Sequence, residues 1–241
     1  MNGSDTHSGK DHLFYRSMRF CGWSGVAAVT FFIIGGMILG GMLPPLLSPD
    51  DTAAEFARRV SEHVVAIRIG SVFLIFSFAL FGALAAGIAA QTRRFEKAPA
   101  FSYLQLMFGA CGTAVAVLVA FSWALMSFRP DEYDPTVVQV LIDFAYFLAL
   151  FSVPVFSGWC LVIALPILFA NEGEEPFPRW VAFFNLWAAV LYAPGLMILF
   201  FKSGIFSWSG IVALWIPFTA FFLWILVMSW GILKGAESAR G

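Results

Sequence analysis

Apolar residues along this chain fall into six uncharged runs, each closed by charged, polar or proline-bearing positions. The runs cover 22–43, 69–90, 101–126, 144–170, 180–201 and 208–233. About 20 apolar residues rising about 1.5 Å each cross the hydrocarbon, so every run is long enough to span a bilayer. The first stops at Pro44-Pro45 and the second at Gln91-Thr92-Arg93-Arg94. The third stops at Phe128-Arg129-Pro130 and the fourth at Asn171-Glu172-Gly173-Glu174-Glu175. The runs lack the polar face of a soluble amphipathic helix and the alternation of a membrane barrel. Lipid satisfies no open sheet edge, so the runs must be helices. The expected fold is all-α: a polytopic membrane bundle of six transmembrane helices.

Between the first two runs lies the longest polar connection, 44–68. Ser48-Pro49-Asp50-Asp51 has the composition of a helix start, with a hydroxyl, a proline and acids near the positive end of the dipole. Phe56, Val60, Val64 and Ile67 then recur at helical spacing, with Glu55, Arg58, Arg59 and Glu62 mostly on other faces. The pattern predicts an amphipathic outer helix that runs into the second span, with room for a bend. The fourth stretch, 136–170, exceeds one span and carries Pro154, which predicts tilt or a kink there. Pro194 beside Gly195 loosens the fifth in the same way.

No internal repeat divides the chain. It reads as a polar cytoplasmic tail with an interfacial segment (1–20), a six-helix transmembrane domain (21–234) and a short cytoplasmic tail (235–241). Residues 1–12 are polar enough to be disordered. Leu13, Phe14, Tyr15, Met18 and Phe20 alternate with Arg16 and Arg19, as in a cationic interfacial anchor. The first run is too long for a signal-peptide core, and no small-x-small cleavage pattern follows it. Of the 14 Lys and Arg residues, Lys10, Arg16, Arg19, Arg93, Arg94, Lys97, Arg179, Lys234 and Arg240 fall on the side of the termini. Arg58, Arg59, Arg68, Arg129 and Lys202 fall on the other. The positive-inside rule then puts both termini in the cytoplasm.

Composition narrows the chemistry. The chain is 60% hydrophobic and 12% charged, with net charge −1, which gives no case for nucleic acid. A charge at mid-bilayer costs roughly 2.5–3.5 kcal/mol on insertion scales, and these runs carry almost none. That argues against a proton-relay pump, a voltage sensor or a charged-ion channel. Three histidines occur, His7, His12 and His63, of which two lie in the polar tail. Haem and diiron membrane proteins need more ligands than that, so no metal and no cofactor is expected. Cys21, Cys111 and Cys160 lie apart and read as packing residues. Asp131-Glu132-Tyr133-Asp134 has no calcium-loop spacing. Ser71, Ser77, Ser122 and Ser152 have no histidine–carboxylate context, and no GxSxG occurs, so no catalytic residue is assigned.

The candidate binding residues are Glu62, His63, Arg68, Arg129, Asp143 and Lys202 near the outer surface, and Asn185 inside the fifth run. Glu62, His63 and Arg68 sit on adjoining turns, while Arg129 and Lys202 come from two other connections. Cations converging over the bundle mouth would hold a carboxylate or phosphate headgroup. Snorkelling and loop ion pairs account for the same residues with no ligand at all. Asn185 needs a partner at its depth, and a helix-to-helix hydrogen bond supplies one. Nine Trp and 28 Phe suit lipid-facing bulk, with Trp23, Trp180, Trp208 and Trp230 at interfacial positions. An aromatic-lined cavity for a hydrophobic compound is the other use for them. Small residues make seams at Gly36/Gly40, Gly82/Ala86, Ala83/Gly87 and Gly109/Thr113, for internal packing or for a dimer.

Taken together, several motifs resemble a family of six-span bacterial integral membrane proteins found in actinobacteria and some proteobacteria. They are Pro44-Pro45, Glu62-His63, Ile67-Arg68-Ile69-Gly70, Gln91-Thr92-Arg93-Arg94, Phe128-Arg129-Pro130, Phe177-Pro178-Arg179-Trp180, Asn185-Leu186-Trp187 and Phe200-Phe201-Lys202-Ser203-Gly204. The likeness covers 22–233 and departs from the family pattern near Ile205 and Ser209. It implies six spans in a bacterial inner membrane and carries no established activity. The residues favour a non-catalytic protein that binds or passes a small hydrophobic or amphipathic molecule. An accessory subunit of a larger membrane complex, or a homo-oligomer, is the alternative, and a membrane enzyme comes third. Lipids are the certain neighbours.

Overall fold

The computed structural model describes residues 3–238, with side chains from 13 to 237. Among the described residues the chain is helical and has no strand. Helix α1 spans Gly3–Phe32 and widens into a π turn at Ile33–Leu39. Then come α2 (Ala53–Glu62), α3 (Val64–Arg93), α4 (Ala100–Met126), α5 (Pro135–Phe151) and α6 (Val153–Phe169). Helix α7 (Arg179–Tyr192) tightens into a 3₁₀ segment at Ala193–Leu199, and a π turn at Ile211–Trp215 leads into α8 (Ile216–Ser238). Six segments are long and apolar enough to cross a membrane: Leu13–Leu39, Val64–Arg93, Ala100–Met126, Pro135–Phe169, Arg179–Leu199 and Gly204–Glu237. They match the six apolar runs one for one. The protein is a multi-pass membrane protein with an all-α fold.

The start of the chain differs from the expectation. No break separates an interfacial segment from the first span: one helix runs from Gly3, through residues 3–12 that were expected to be disordered. No proline interrupts it, and Met18 is buried while Phe14 and Tyr15 pack on the core, so tertiary contact extends the helix toward its terminus. The side chains of His7 and His12, and Arg240, lie outside the described residues.

The outer helix exists as predicted, but it begins later. Ser48 and Asp51 close a turn instead, with the Ser48 N–H donating to Asp51 Oδ2 at 2.8 Å. Thr52 is the N-cap: its hydroxyl accepts from the Glu55 N–H, and Glu55 accepts from the Thr52 N–H at 2.8 Å. Those hydrogen bonds hold the Glu55 carboxyl below its ordinary range. The helix buries Phe56 and Val60, then bends at His63 (φ −115°, ψ 14°) into α3. Two residues predicted for the apolar face thus anchor α2 on the bundle.

Tight crossings come from glycine. A Cβ on Gly70 would stand 2.5 Å from Gly35 O and 2.8 Å from Gly40 Cα, so the first span and α3 meet backbone to backbone. The contact uses Gly35 and Gly40 rather than the Gly36/Gly40 pair. Gly109 packs against the Ala85 methyl, whereas Gly82 faces outward with open space around it. The contacts of Gly70 and Gly109 are internal, while the Gly82/Ala86 pair is exposed on the surface of the bundle.

The core divides by depth. At the end bearing the termini, Ile88, Trp159, Ile163, Trp224 and Met228 are among the buried residues. At the α2 end, Phe56, Trp123, Ile142, Tyr146 and Trp208 are. The boundary between these two clusters lies at mid-membrane.

Candidate functional site

The α2 end holds most of the residues singled out by sequence, and the structure gives each a local partner. Arg68 donates from Nε to Ser127 O (2.9 Å) and from Nη2 to Phe128 O (3.0 Å), capping the carbonyls at the end of α4. It also heads a shallow groove on the outer face of α3 and α4, of about 300 Å³, with Val72, Phe121 and Phe128. Arg129 lies 3.6 Å from Glu132 and over the Phe128 ring. Glu62 pairs with Arg58 at 2.6 Å, and His63 Nδ1 stands 3.0 Å from Arg59 O. Asp134 caps α5 by accepting from the Thr136 N–H, which lowers its pKa, and Asp131 accepts from Ser61. Lys202 is exposed, and its charge acts on Asp143. The three cations therefore serve different neighbours.

Over the mouth itself, aromatic donors close the structure. Trp208 stacks on Tyr146 with centroids 4.1 Å apart, and Tyr146 meets Trp123 edge-on at 5.8 Å. Trp123 Nε1 donates to Gly40 O (2.8 Å), and the Tyr146 hydroxyl to Met42 O (2.7 Å). Trp208 Nε1 donates to Asp143 Oδ1 at 2.9 Å. Trp208, expected in an interfacial belt, is buried because this bond and Phe56 of α2 draw it in. The space left beneath α2 is about 10 Å³, at the threshold for one water.

Asn185 is fully buried and its amide is committed. It donates to Val181 O at 2.8 Å and accepts from Trp224 Nε1 at 2.8 Å, joining α7 to α8. The expected helix-to-helix hydrogen bond is present.

A different feature sits at mid-membrane, where four of the six spans lose regular α geometry. The first changes to a π turn after Phe32, and the fourth breaks at Ser152 (φ −79°, ψ 23°), two residues before Pro154. The fifth tightens after Tyr192 at Ala193-Pro194-Gly195, and the sixth leaves its π turn just before Pro217. Residues at all four breaks (Phe32, Leu150 with Val153, Tyr192 and Pro217) line one apolar pocket of about 70 Å³. Phe156, Phe218, Phe221 and Phe222 supply much of its remaining wall. Such a volume exceeds the size of one water, and its walls give water little to bond to.

Polar residues from neighbouring helices reach two of the backbone carbonyls freed in these spans. Proline returns no N–H to the carbonyl four residues back, so Pro166 leaves Val162 O to another donor, and Gln105 of α4 supplies it at 3.0 Å. The 3₁₀ turn diverts the Ala193 N–H to Val190 O, and the Ser157 hydroxyl donates to Ala189 O at 2.9 Å. Pro154 withdraws its donor from Leu150 O, against which Gly195 packs so closely that a Cβ would lie 2.5 Å away. The Tyr192 ring lines the pocket, while its hydroxyl is sealed from it and meets no nitrogen or oxygen partner. The Cys160 thiol beside it offers only weak hydrogen-bonding chemistry.

Sequence reasoning identified Pro154, Pro194 and Gly195 as distortions but did not connect them, and it left Tyr192 and Gln105 unremarked. A glutamine within an uncharged run was the available signal. Groups of three or more His, Cys, Asp or Glu able to hold a metal are absent among the described residues. Comparison with protein-family models, curated proteins and solved structures finds no match, so the likeness to the six-span bacterial family rests on its motifs alone.

Proposed function

We propose that this protein binds a small hydrophobic or amphipathic molecule within the membrane, without catalysis, as a carrier or receptor of that molecule. The observation that carries the reading is the mid-membrane pocket lined by four helix breaks. Irregular backbone at hydrocarbon depth is tolerated where it lines a cavity or is buried in protein, and discontinuous spans commonly build transporter sites. The aromatic walls suit an acyl, isoprenoid or ring-bearing body. Arg68, first considered for the polar end, is engaged with α4 and belongs to the scaffold in this reading. Charge bias supports cytoplasmic termini, and the motif likeness supports a bacterial inner membrane.

The test is gentle purification followed by mass spectrometry of every retained protein and small molecule. Wild-type protein is expected to retain a hydrophobic compound that Ala116→Leu, which fills the pocket wall, releases. Equal retention by wild type and Ala116→Leu would overturn the pocket assignment. A stoichiometric protein partner with no bound compound would favour the accessory-subunit reading instead.

A further inference from the structure

We propose a second site, on the lipid-facing side of α3 and α4, that holds an anionic phospholipid from the leaflet on the α2 side. Its phosphodiester meets Arg68, and one acyl chain lies in the groove that Arg68 heads. The site is independent of the mid-membrane pocket.

The groove begins in the sequence. Ala120, Ala124 and Ser127 recur at helical spacing on α4, and Ser71 of α3 lines the same groove. These side chains are too short to fill the space between the helices, whereas Val72, Phe121 and Phe128 beside them are more than half exposed. The result is a furrow of about 300 Å³. Both serine hydroxyls already donate within their own helices, Ser71 to Ile67 O at 2.7 Å and Ser127 to Ala124 O at 2.9 Å. Below Arg68 the furrow therefore presents an apolar surface suited to a hydrocarbon chain.

Arg68 is the one charged residue lining the furrow, and its side chain is exposed. The bonds from Nε to Ser127 O and from Nη2 to Phe128 O hold the guanidinium in place. A guanidinium has five N–H groups, so both of those on Nη1 remain for another acceptor. Carbonyl oxygens steady the cation without neutralising it. The ion pairs among the described residues join Arg58 to Glu62 and Arg129 to Glu132, and neither involves Arg68. A planar cation already fixed in orientation loses little freedom on taking a phosphate oxygen.

Depth and charge identify the lipid. Helix α3 has 30 residues, about 45 Å at about 1.5 Å each, which exceeds the hydrocarbon core by about 15 Å. Arg68 lies four residues from the start of α3, about 6 Å along it, at the level of the lipid phosphates. Ser71 and Ile75 follow on α3, and Ala124 and Ala120 run beside them on the antiparallel α4, so the furrow descends from that level into the acyl region. No carboxylate lines it. The ammonium of an ethanolamine or choline headgroup would find no counter-charge there, whereas a glycerol headgroup leaves the phosphodiester with its net negative charge. The site therefore suits phosphatidylglycerol.

The experiment is photocrosslinking of the full-length protein in liposomes. Phosphatidylglycerol and phosphatidylethanolamine, each with the same diazirine-bearing acyl chain, are added separately, and adducts are mapped by peptide mass spectrometry. Yield on the peptides bearing Val72 and Phe121 is divided by yield on the peptide bearing Val190, which is 70% exposed on α7 and reports bulk lipid. Phosphatidylglycerol is expected to exceed phosphatidylethanolamine about fivefold in that ratio, the worth of one cation near an anionic headgroup, and added salt should shrink the excess. Ala124 is exposed, so Ala124→Trp fills the furrow without entering the core and should remove the excess. Arg68→Gln, taken from the monodisperse fraction on size exclusion, should remove the headgroup preference while the chain still reaches the furrow. Equal ratios for the two lipids would overturn the proposal. So would an excess that survives Ala124→Trp, which would place the lipid elsewhere, or one that survives Arg68→Gln, which would remove the phosphate from Arg68.

Discussion

Gly195 is the residue on which the geometry of the mid-membrane layer can be tested most sharply. It packs where Pro154 has removed the donor from Leu150 O, and a Cβ there would lie 2.5 Å from that oxygen and 3.4 Å from Val153 Cγ2. Ordinary contact begins near 3.4 Å, so Gly195→Ala must push the 3₁₀ segment and the α5–α6 break apart by about 1 Å. The obstacle is backbone, which cannot rotate out of the way as a side chain can. Overpacking of this kind typically costs about 1–3 kcal/mol. Gly82→Ala is the matched control, because nothing lies within 4 Å of its Cβ in the middle of α3. There the added methyl reduces backbone freedom in the unfolded chain and should stabilise by about 0.4–1 kcal/mol. Thermal unfolding in one mild detergent, followed by tryptophan fluorescence and size exclusion, should shift the two variants in opposite directions. If Gly195→Ala unfolds at or above the Gly82→Ala temperature, the close approach does not exist and the arrangement of breaks is wrong.

Two more outcomes follow from the α2 end. Arg68→Met leaves the Ser127 and Phe128 carbonyls without their donors and should cost about 1.5–3 kcal/mol, read as a lowered unfolding temperature; an unchanged one would return Arg68 to the list of free cations. Glu55 has a folded pKa below its ordinary value of 4.5, so its capping contribution is complete above pH 4.5 and fades as pH falls through the lower folded value. Hydrogen exchange of α2 amides, corrected for intrinsic rates, should therefore lose protection on acidification in the wild type, and Glu55→Gln should flatten that dependence.

The six spans were legible because lipid leaves a backbone few choices, and Pro154 and Pro194 announced their own distortions. The start of α2 was less legible. Ser48-Pro49-Asp50-Asp51 and Thr52-Ala53-Ala54-Glu55 are both helix-start sequences, and the reciprocal bonds of Thr52 and Glu55 prevail while Asp51 closes a turn with Ser48. The site was the least legible part. Arg68 and Asp143 carry the residue types of a headgroup site, but their partners, Ser127 with Phe128 and Trp208, are set by packing across distant segments. Unpaired atoms such as Gln105 Oε1 and Gln91 Oε1 leave no trace in a sequence, since nothing in it shows which neighbours fail to reach them.

The uninterrupted pair, α3 and α4, gives the row of helix breaks a mechanical meaning. These two spans run 30 and 27 residues without a joint, locked by Gly109 against Ala85. The other four are hinged at one level, so the protein is built as a rigid mast with jointed arms. Bending at the joints would change the width of the pocket that all four line. On the proposed reading, a change in bilayer thickness or lateral pressure would load the same joints and so alter the pocket's hold on its ligand.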